Sequence, residues 1–381
     1  MENQKKHLII VAGEASGDDR AAELIAEIKK RDAAISFSGL GGQKMAGQGV
    51  TIYFDLTNVA VVGFVEVIKH FTTIKNAFHL ILKKIDEQKP AAVILVDYPG
   101  FNLRLAKELK KRNVKVIYYV SPQVWAWNAK RIDLIKEVVD KMIVFFKFEE
   151  TLYARHGYHV DLVGHPLIDH VKVALEKDEF LKKMGLSPCG RTIGLLPGSR
   201  EKEVQKIFPI MLATAQHLYQ KNPEFQFFAF KAPTIDMKIF DQYLKNYSFP
   251  IKIVCEKTYD GINACDFCLV ASGTATLETA ILKKPMIVIY KTSLLTWALA
   301  KCLIKIPNIG LVNVVAGKKI VPECVQFDAT AENIAYQTIG LLSNDEKMKA
   351  AQQALGDVKD ALGAPGASAR AAQKVLTYIS A

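Results

Sequence analysis

Long apolar runs are missing from this 381-residue chain. Nothing approaches the roughly 18 consecutive apolar residues of a membrane-crossing helix, so none is expected. The opening stretch, MENQKKHLIIVAGEASGD, lacks the apolar core of a signal peptide and runs straight into a strand and loop. Cysteine is scarce: Cys189, Cys255, Cys265, Cys268, Cys302 and Cys324 are all there are, and none precedes residue 189. Cys265 and Cys268 form a CxxC, but no second pair stands at zinc spacing, and Cys268 sits within an apolar strand. The thiols are therefore expected to be reduced and mostly buried in a cytoplasmic protein, with a redox pair as the minor alternative. His165 and His170 have no third ligand near them in sequence, so a metal is not expected there. Acidic charge is in deficit, with 39 Asp plus Glu against 50 Lys plus Arg, a net +11. Such an excess favours an anionic partner: a nucleotide, a nucleic acid, an acidic lipid or a phosphorylated substrate. Basic residues interleaved with aromatics are lacking, and so is any known module, which argues against nucleic acid.

Half of the residues are apolar, enough for two domains with a core each. Apolar strands alternate with helical patterns in both halves, which predicts parallel sheets with right-handed crossovers. The expectation is an α/β chain of two Rossmann-like domains facing a cleft. No sequence repeat relates them. The Gly and Pro of Gly164-His165-Pro166-Leu167 suggest the end of the first domain, and a charged segment, 172–183, would link the two.

The stretch that organises the chain is GLLPGSR, residues 194–200. An apolar strand reaches Leu196, then Pro197, Gly198 and Ser199 turn the chain, and a helical pattern follows. A strand, a glycine turn and a helix start make an anion site, because free N–H groups and the helix dipole point outward there. Arg200 adds a permanent charge on a planar donor fork suited to phosphate. The stretch FCLVASGTATLETA, 267–280, repeats this logic through Ser272, Gly273 and Thr274, with Glu278 a turn into the helix. Two such loops would grip a nucleotide diphosphate from both sides; taken singly, each also reads as an ordinary strand–helix turn.

Other loops carry weaker signals. Glu14 and Asp18 make the first one acidic, which suits a sugar or a cap better than a phosphate. SGLGGQKMAGQG, 38–49, lacks the full GxGxxG register and reads as a flexible loop. The apolar strand Ala91 to Val96 ends in Asp97, where ligands bind in open α/β sheets, so Asp97 is either a general base or a turn cap. Trp125 and Trp127 follow another strand and mark a packed loop or a sugar or acyl contact. Phe64, Val67, Phe71, Ile74, Phe78, Ile81 and Ile85 step by three and four, the pattern of one helix face. Lys69, Lys75, Lys83 and Lys84 punctuate it, so it either packs on a sheet or lies on a membrane surface. The stretch 292–306 around Trp297 is a second such candidate.

Taken together, VAGEASGD (11–18), LVDYPGFN (95–102), YVSPQVWAW (119–127), VGHPL (163–167), LLPGSR (195–200), ASGTATLE (271–278) and NVVAG with PECVQ (313–317, 322–326) resemble the lipid-A-disaccharide synthases. These are inverting glycosyltransferases of bacterial lipopolysaccharide assembly. The motifs run in order across nearly the whole chain. The resemblance implies a GT-B fold, with an acceptor domain over 1–170 completed by helices in 345–381, and a UDP-sugar donor domain over 171–344. It implies transfer of 2,3-diacylglucosamine from UDP to 2,3-diacylglucosamine 1-phosphate, giving the β-1,6-linked lipid A disaccharide 1-phosphate and UDP. Asp97 would take the proton of the acceptor 6-hydroxyl. Arg200, with Gly198, Ser199 and the amides of Ser272, Gly273 and Thr274, would hold the departing diphosphate. Glu278 would bind the ribose, Asn313 and Gln326 would line the donor pocket, and Glu14, Ser16 and Trp125 would face the acceptor or transferred sugar. No Asp-x-Asp stands beside these loops, so catalysis without metal or cofactor is expected. Some relatives carry Asp where this chain has Gly100, which leaves a second position open for the base.

Both substrates carry acyl chains, so peripheral docking on an anionic inner-membrane surface is expected, through Phe64, Phe71, Phe78, Lys69, Lys75 and Trp297. The competing readings are another GT-B transferase, a UDP-sugar epimerase, and a non-catalytic nucleotide-sugar or lipid-binding protein. Oligomeric state is not legible.

Overall fold

The computed structural model describes residues 6–57, 71–127, 131–294, 297 and 307–380 (for 126 and 127 the backbone alone). It divides into two compact units, Met1–Pro166 with Ala364–Ala381, and Leu167–Gly363.

Unit 1 is built on seven parallel strands: β1 (His7–Ala12), β2 (Ser36–Gly41), β3 (Thr51–Asp55), β4 (Ala92–Val96), β5 (Val116–Tyr119), β6 (Lys141–Val144) and β7 (Asp161–Leu162). Their order across the sheet is β3-β2-β1-β4-β5-β6-β7. The strands β1 and β4 are almost wholly buried, Leu8 to Ala12 and Ala92 to Val96, as parallel strands covered on both faces must be. They pair in register, Ala12 opposite Val96, so Gly13 and Asp97 leave the sheet side by side. Here the strand order reverses, and this is the crevice where open α/β sheets bind ligands.

Unit 2 repeats the plan with β8 (Arg191–Leu196), β9 (Phe225–Phe230), β10 (Ile251–Val254), β11 (Phe267–Ala271), β12 (Met286–Tyr290) and β13 (Glu323–Val325), ordered β10-β9-β8-β11-β12-β13. Its reversal lies between β8 and β11, whose ends carry Pro197 to Arg200 and Ser272 to Thr274. The core around β8, β9 and β11 includes Ile193, Leu195, Phe227, Phe267 and Leu269.

Several elements depart from expectation. The glycine-rich stretch 38–49 is ordered: it ends β2 and forms a short helix, Gln43–Gly47. The buried carboxylate of Asp18 accepts the N–H groups of Gly42 (2.8 Å), Lys44 (2.9 Å) and Met45 (3.2 Å), fixing that helix start. The chain returns to unit 1 at 364 rather than near 345. The helix Asp345–Ala361 packs within unit 2, against the helices Ala275–Ile281, Leu311–Ala316 and Ala331–Leu342. The last helix, Ala367–Ser380, packs on Ala15–Arg31. Its Arg370 donates to the Val163 carbonyl from Nε (2.9 Å) and Nη2 (2.6 Å), and Ser368 donates to Glu23 (3.1 Å).

Among the described cysteines all are free; Cys265, Cys268 and Cys324 are buried, Cys189 and Cys255 exposed. Cys302 lies outside the described residues.

Candidate active site

In unit 1 the site grows from the end of β4. Asp97 and Tyr98 both take left-handed backbone conformations, with φ of 47° and 46°. Such a conformation is costly outside glycine and persists only when neighbours hold it. Three contacts hold this one. The Asp97 N–H donates to the Tyr119 carbonyl (3.1 Å). Its carbonyl accepts from the Tyr118 hydroxyl (2.6 Å) and from the fully buried Asn102 side chain (2.8 Å). Gly13 gives room for the turn, since a Cβ there would stand 2.1 Å from the Tyr98 ring. Burial raises the Asp97 carboxyl to about 6, helped by the nearby Glu14 charge and opposed by a hydrogen bond from the Tyr98 backbone.

Glu14 is half-buried at the N-cap of the helix Ala15–Arg31, and its side chain makes no capping bond there. Ser16 is exposed on the first turn of that helix. Gly100 lies on the first turn of Pro99–Lys111, and a Cβ there would meet open space. Trp125 is half-buried and stands edge-on to Phe148, ring centroids 5.4 Å apart. Phe148 stacks on Phe146 at 5.2 Å, and His165 packs against Phe146 at 5.1 Å.

Sequence reasoning passed over Glu149. It is buried in the first turn of the helix Lys147–Arg155 and accepts from the N–H groups of Phe145 (3.3 Å) and Phe146 (3.2 Å). Burial dominates these bonds and, with the Asp97 charge in reach, pushes its carboxyl up to about 8. At neutral pH the acid beside Phe146 is therefore mostly uncharged.

In unit 2, Gly198 adopts φ 112°, and a Cβ would meet the Glu203 carboxylate at 2.1 Å. The Glu203 carboxylate accepts hydrogen bonds from the backbone of Ser199 and Arg200, reaching back from the first turn of Glu201–Lys221. The chain's own carboxylate thus lies against the turn that was expected to be open to an anion. Burial raises the Glu203 carboxyl in spite of the Arg200 charge and these bonds. Arg200 and Ser199 are exposed.

The second loop is also partly committed. The Ser272 N–H donates to the Ile289 carbonyl (2.9 Å) and its hydroxyl to the Ile309 carbonyl (3.1 Å), so Ser272 does not offer its amide to a ligand. Gly273 and Thr274 are exposed ahead of the helix Ala275–Ile281. Glu278 accepts from the Tyr259 hydroxyl (3.3 Å).

Asn313 and Gln326, expected to line the donor pocket, face their own chain. Asn313 is fully buried; it donates to the Val321 carbonyl (3.0 Å) and Glu323 (2.7 Å) and accepts from the amides of Ile320 (2.8 Å) and Val321 (3.0 Å). All four of its hydrogen-bonding positions are filled. Buried Gln326 pairs with Thr292, accepting its N–H (3.1 Å) and donating to its carbonyl (3.2 Å).

The membrane-surface set separates. Phe64 and Lys69 lie outside the described residues. On the helix Phe71–Gln88, Phe71 is 56% exposed and Lys75 is exposed. Phe78 instead packs edge-on against Phe101 at 5.4 Å, beside the buried row Ala77, Ile81 and Ile85, and belongs to the core side. Trp297 is half-buried, its N–H bonded to the Ser293 carbonyl. Among the described residues no helix is long and apolar enough to cross a membrane.

A family model described as lipid-A-disaccharide synthetase matches residues 8–376. The lipid-A-disaccharide synthase of Syntrophus aciditrophicus is 44% identical over 98% of this chain and 98% of its own. That of Nitrosococcus oceani is 42% identical over 96% of this chain and 94% of its own. Two solved structures share the fold at low identity. A UDP-GlcNAc 2-epimerase from Neisseria meningitidis bound to UDP-GlcNAc has a TM-score of 0.64 at 16% identity, covering 98% of this chain and all of the other. The calicheamicin glycosyltransferase CalG4 has a TM-score of 0.63 at 12% identity, covering 99% of each chain.

Proposed function

The chain belongs to the lipid-A-disaccharide synthase family, and we propose that Asp97 is the base of its transfer reaction. The fold is GT-B, and the activity is that of a glycosyltransferase forming the lipid A disaccharide. The donor in this reading is UDP-2,3-diacylglucosamine and the acceptor 2,3-diacylglucosamine 1-phosphate. Asp97 accepts the proton of the acceptor 6-hydroxyl as that oxygen attacks the anomeric carbon from the face opposite UDP. The C–O bond to the acceptor forms, the bond to the diphosphate breaks, and the configuration inverts.

The observation that carries this reading is the Asp97 clamp. A carboxylate at a strand-order reversal, in a conformation fixed through Tyr118, Tyr119 and Asn102, is pre-positioned rather than left to rotate with a loop. Its carboxyl, at about 6, leaves it mostly ionised at pH 7 yet more basic than an ordinary aspartate. On the donor side, the Arg200 guanidinium and the exposed amides at Gly273 and Thr274 meet the leaving diphosphate. The Ser199 and Arg200 amides contribute by fixing the turn through Glu203. Glu278 is kept as the ribose ligand. Asn313 and Gln326 act at one remove, by holding the segments 309–323 and 292 in place. Phe71 and Lys75 supply the described part of a docking surface for an anionic bilayer that holds the acyl chains.

The test is UDP release by the purified chain in EDTA, with the diacylated donor and acceptor compared with plain UDP-N-acetylglucosamine. Turnover only with the acylated pair, with a disaccharide in the mass spectrum, is expected. Turnover with the plain sugar would contradict the substrate assignment.

A further inference from the structure

We infer that unit 2 holds a second anion site, built for a phosphoryl group, in the cavity between Arg191 and Lys284 at the amino ends of β8, β11 and β12. This cavity, about 320 Å³, lies at the opposite end of the sheet from Arg200 and Gly273. It is lined by Lys177, Arg191, Asp266, Lys284 and Asp345, with Cys265 and Met348 among its less polar walls.

The charges do not cancel there. Asp266 is already committed: one oxygen pairs with Lys177, and the other accepts the Thr192 N–H at 2.9 Å. Arg191 uses one N–H on the Leu342 carbonyl (2.7 Å), which ends the helix Ala331–Leu342, and its other donors remain for a ligand. The Lys284 ammonium is half-buried and makes no hydrogen bond or ion pair among the described residues. Its pKa is lowered by that burial, against the pull of Cys268, Cys265 and Asp266.

A cation withdrawn from water without a partner is unfavourable, and the adjoining planar guanidinium supplies the donor geometry that phosphate oxygens accept. A ligand anion is the missing partner. A cavity of this size admits a phosphorylated small molecule as readily as free phosphate. The shared chemistry is the phosphoryl group. This inference does not depend on the transfer reaction proposed above.

The test reads Lys284 directly. The wild-type chain is saturated with UDP, so that the donor loops are filled, and then labelled with trace acetic anhydride. Modification is followed peptide by peptide in the mass spectrometer, with exposed Lys283 as internal control. A bound phosphoryl group covers the amine and raises its pKa. Inorganic phosphate, or glucose 1-phosphate as a sugar phosphomonoester, is expected to slow Lys284 labelling at least fivefold and leave Lys283 unchanged. Arg191→Met should remove the protection. Protection by the sugar phosphate at lower concentration would identify a phosphomonoester as the ligand, and equal potency would identify free phosphate. Equal labelling of Lys284 with and without both probes would overturn the inference, with or without the Arg191 variant.

Discussion

Asp97 carries a carboxyl raised to about 6 by burial and by Glu14. A general base must be ionised to act, so kcat/KM should rise tenfold per pH unit below about 6 and level off above it. A pH–rate profile flat between pH 5 and 8 would remove Asp97 from that role. Asn313 makes the opposite kind of case. Resemblance marks a residue as part of a motif without saying whether its side chain meets a ligand or its own backbone. Here the four filled bonds give the answer, and they lie between residues 7 to 10 apart that no local pattern connects. Asn313→Ala leaves the Ile320 and Val321 amides and a Glu323 oxygen without their partner. It should lower stability by about 2–4 kcal/mol, read in a urea melt, while the folded fraction keeps its KM for donor. A raised KM with unchanged stability would restore Asn313 to the pocket. Glu149 and Glu203 escaped notice for a related reason, since each acts on amides a few residues away whose orientation only the fold fixes.

Strands were the readable elements. The chains of buried aliphatic residues in β1, β4, β8 and β11 can do little but form interior parallel strands, and these four position the whole candidate site. Edge elements were harder. The strand β13 has three residues, and β3 is only partly buried, so neither shows a continuous apolar run. The helix Pro99–Lys111 follows a left-handed residue and opens on a Pro-Gly pair that reads as a turn. The glycines of 38–49 suggest freedom that Asp18 removes.

The turn before Lys147–Arg155 has its own pH signature. The Glu149 carboxyl is raised in the folded chain from an ordinary glutamate value to about 8. Its contribution to stability is therefore full below about pH 4.5 and is lost as pH rises towards 8. Glu149→Gln keeps a carbonyl acceptor for both amides and cannot ionise. The wild type should lose melting temperature relative to this variant between pH 6 and 9. Parallel curves would show that Glu149 is already ionised in the folded chain over that range, as an ordinary glutamate is.

At the scale of the whole molecule, two units repeat one doubly wound plan without repeating a sequence. In both, the candidate residues stand where strand order reverses, after β1 and β4 in one and after β8 and β11 in the other. That recurrence is why alternating strands and helices disclosed the architecture, and why loop composition alone misjudged which amides are open. The return of the chain at 364 was not legible, because nothing in the sequence of Asp345–Ala361 distinguishes a helix that stays from one that crosses. The proposed docking on a bilayer is also a whole-molecule property. Phe71→Ser with Lys75→Glu should reduce co-sedimentation with vesicles of anionic lipid, since both side chains are exposed on Phe71–Gln88. Unchanged sedimentation would remove Phe71 and Lys75 from the proposed docking surface.

The role of Asp97 as the base is tested most directly by Asp97→Asn. The amide keeps the size of the side chain and leaves the backbone clamp from Tyr118 and Asn102 intact. With the acylated donor and acceptor, turnover should fall by about 10²- to 10⁴-fold, while calorimetry returns an unchanged affinity for UDP. Turnover within a few-fold of wild type would contradict the account and return the search for the base to the other carboxylates of unit 1.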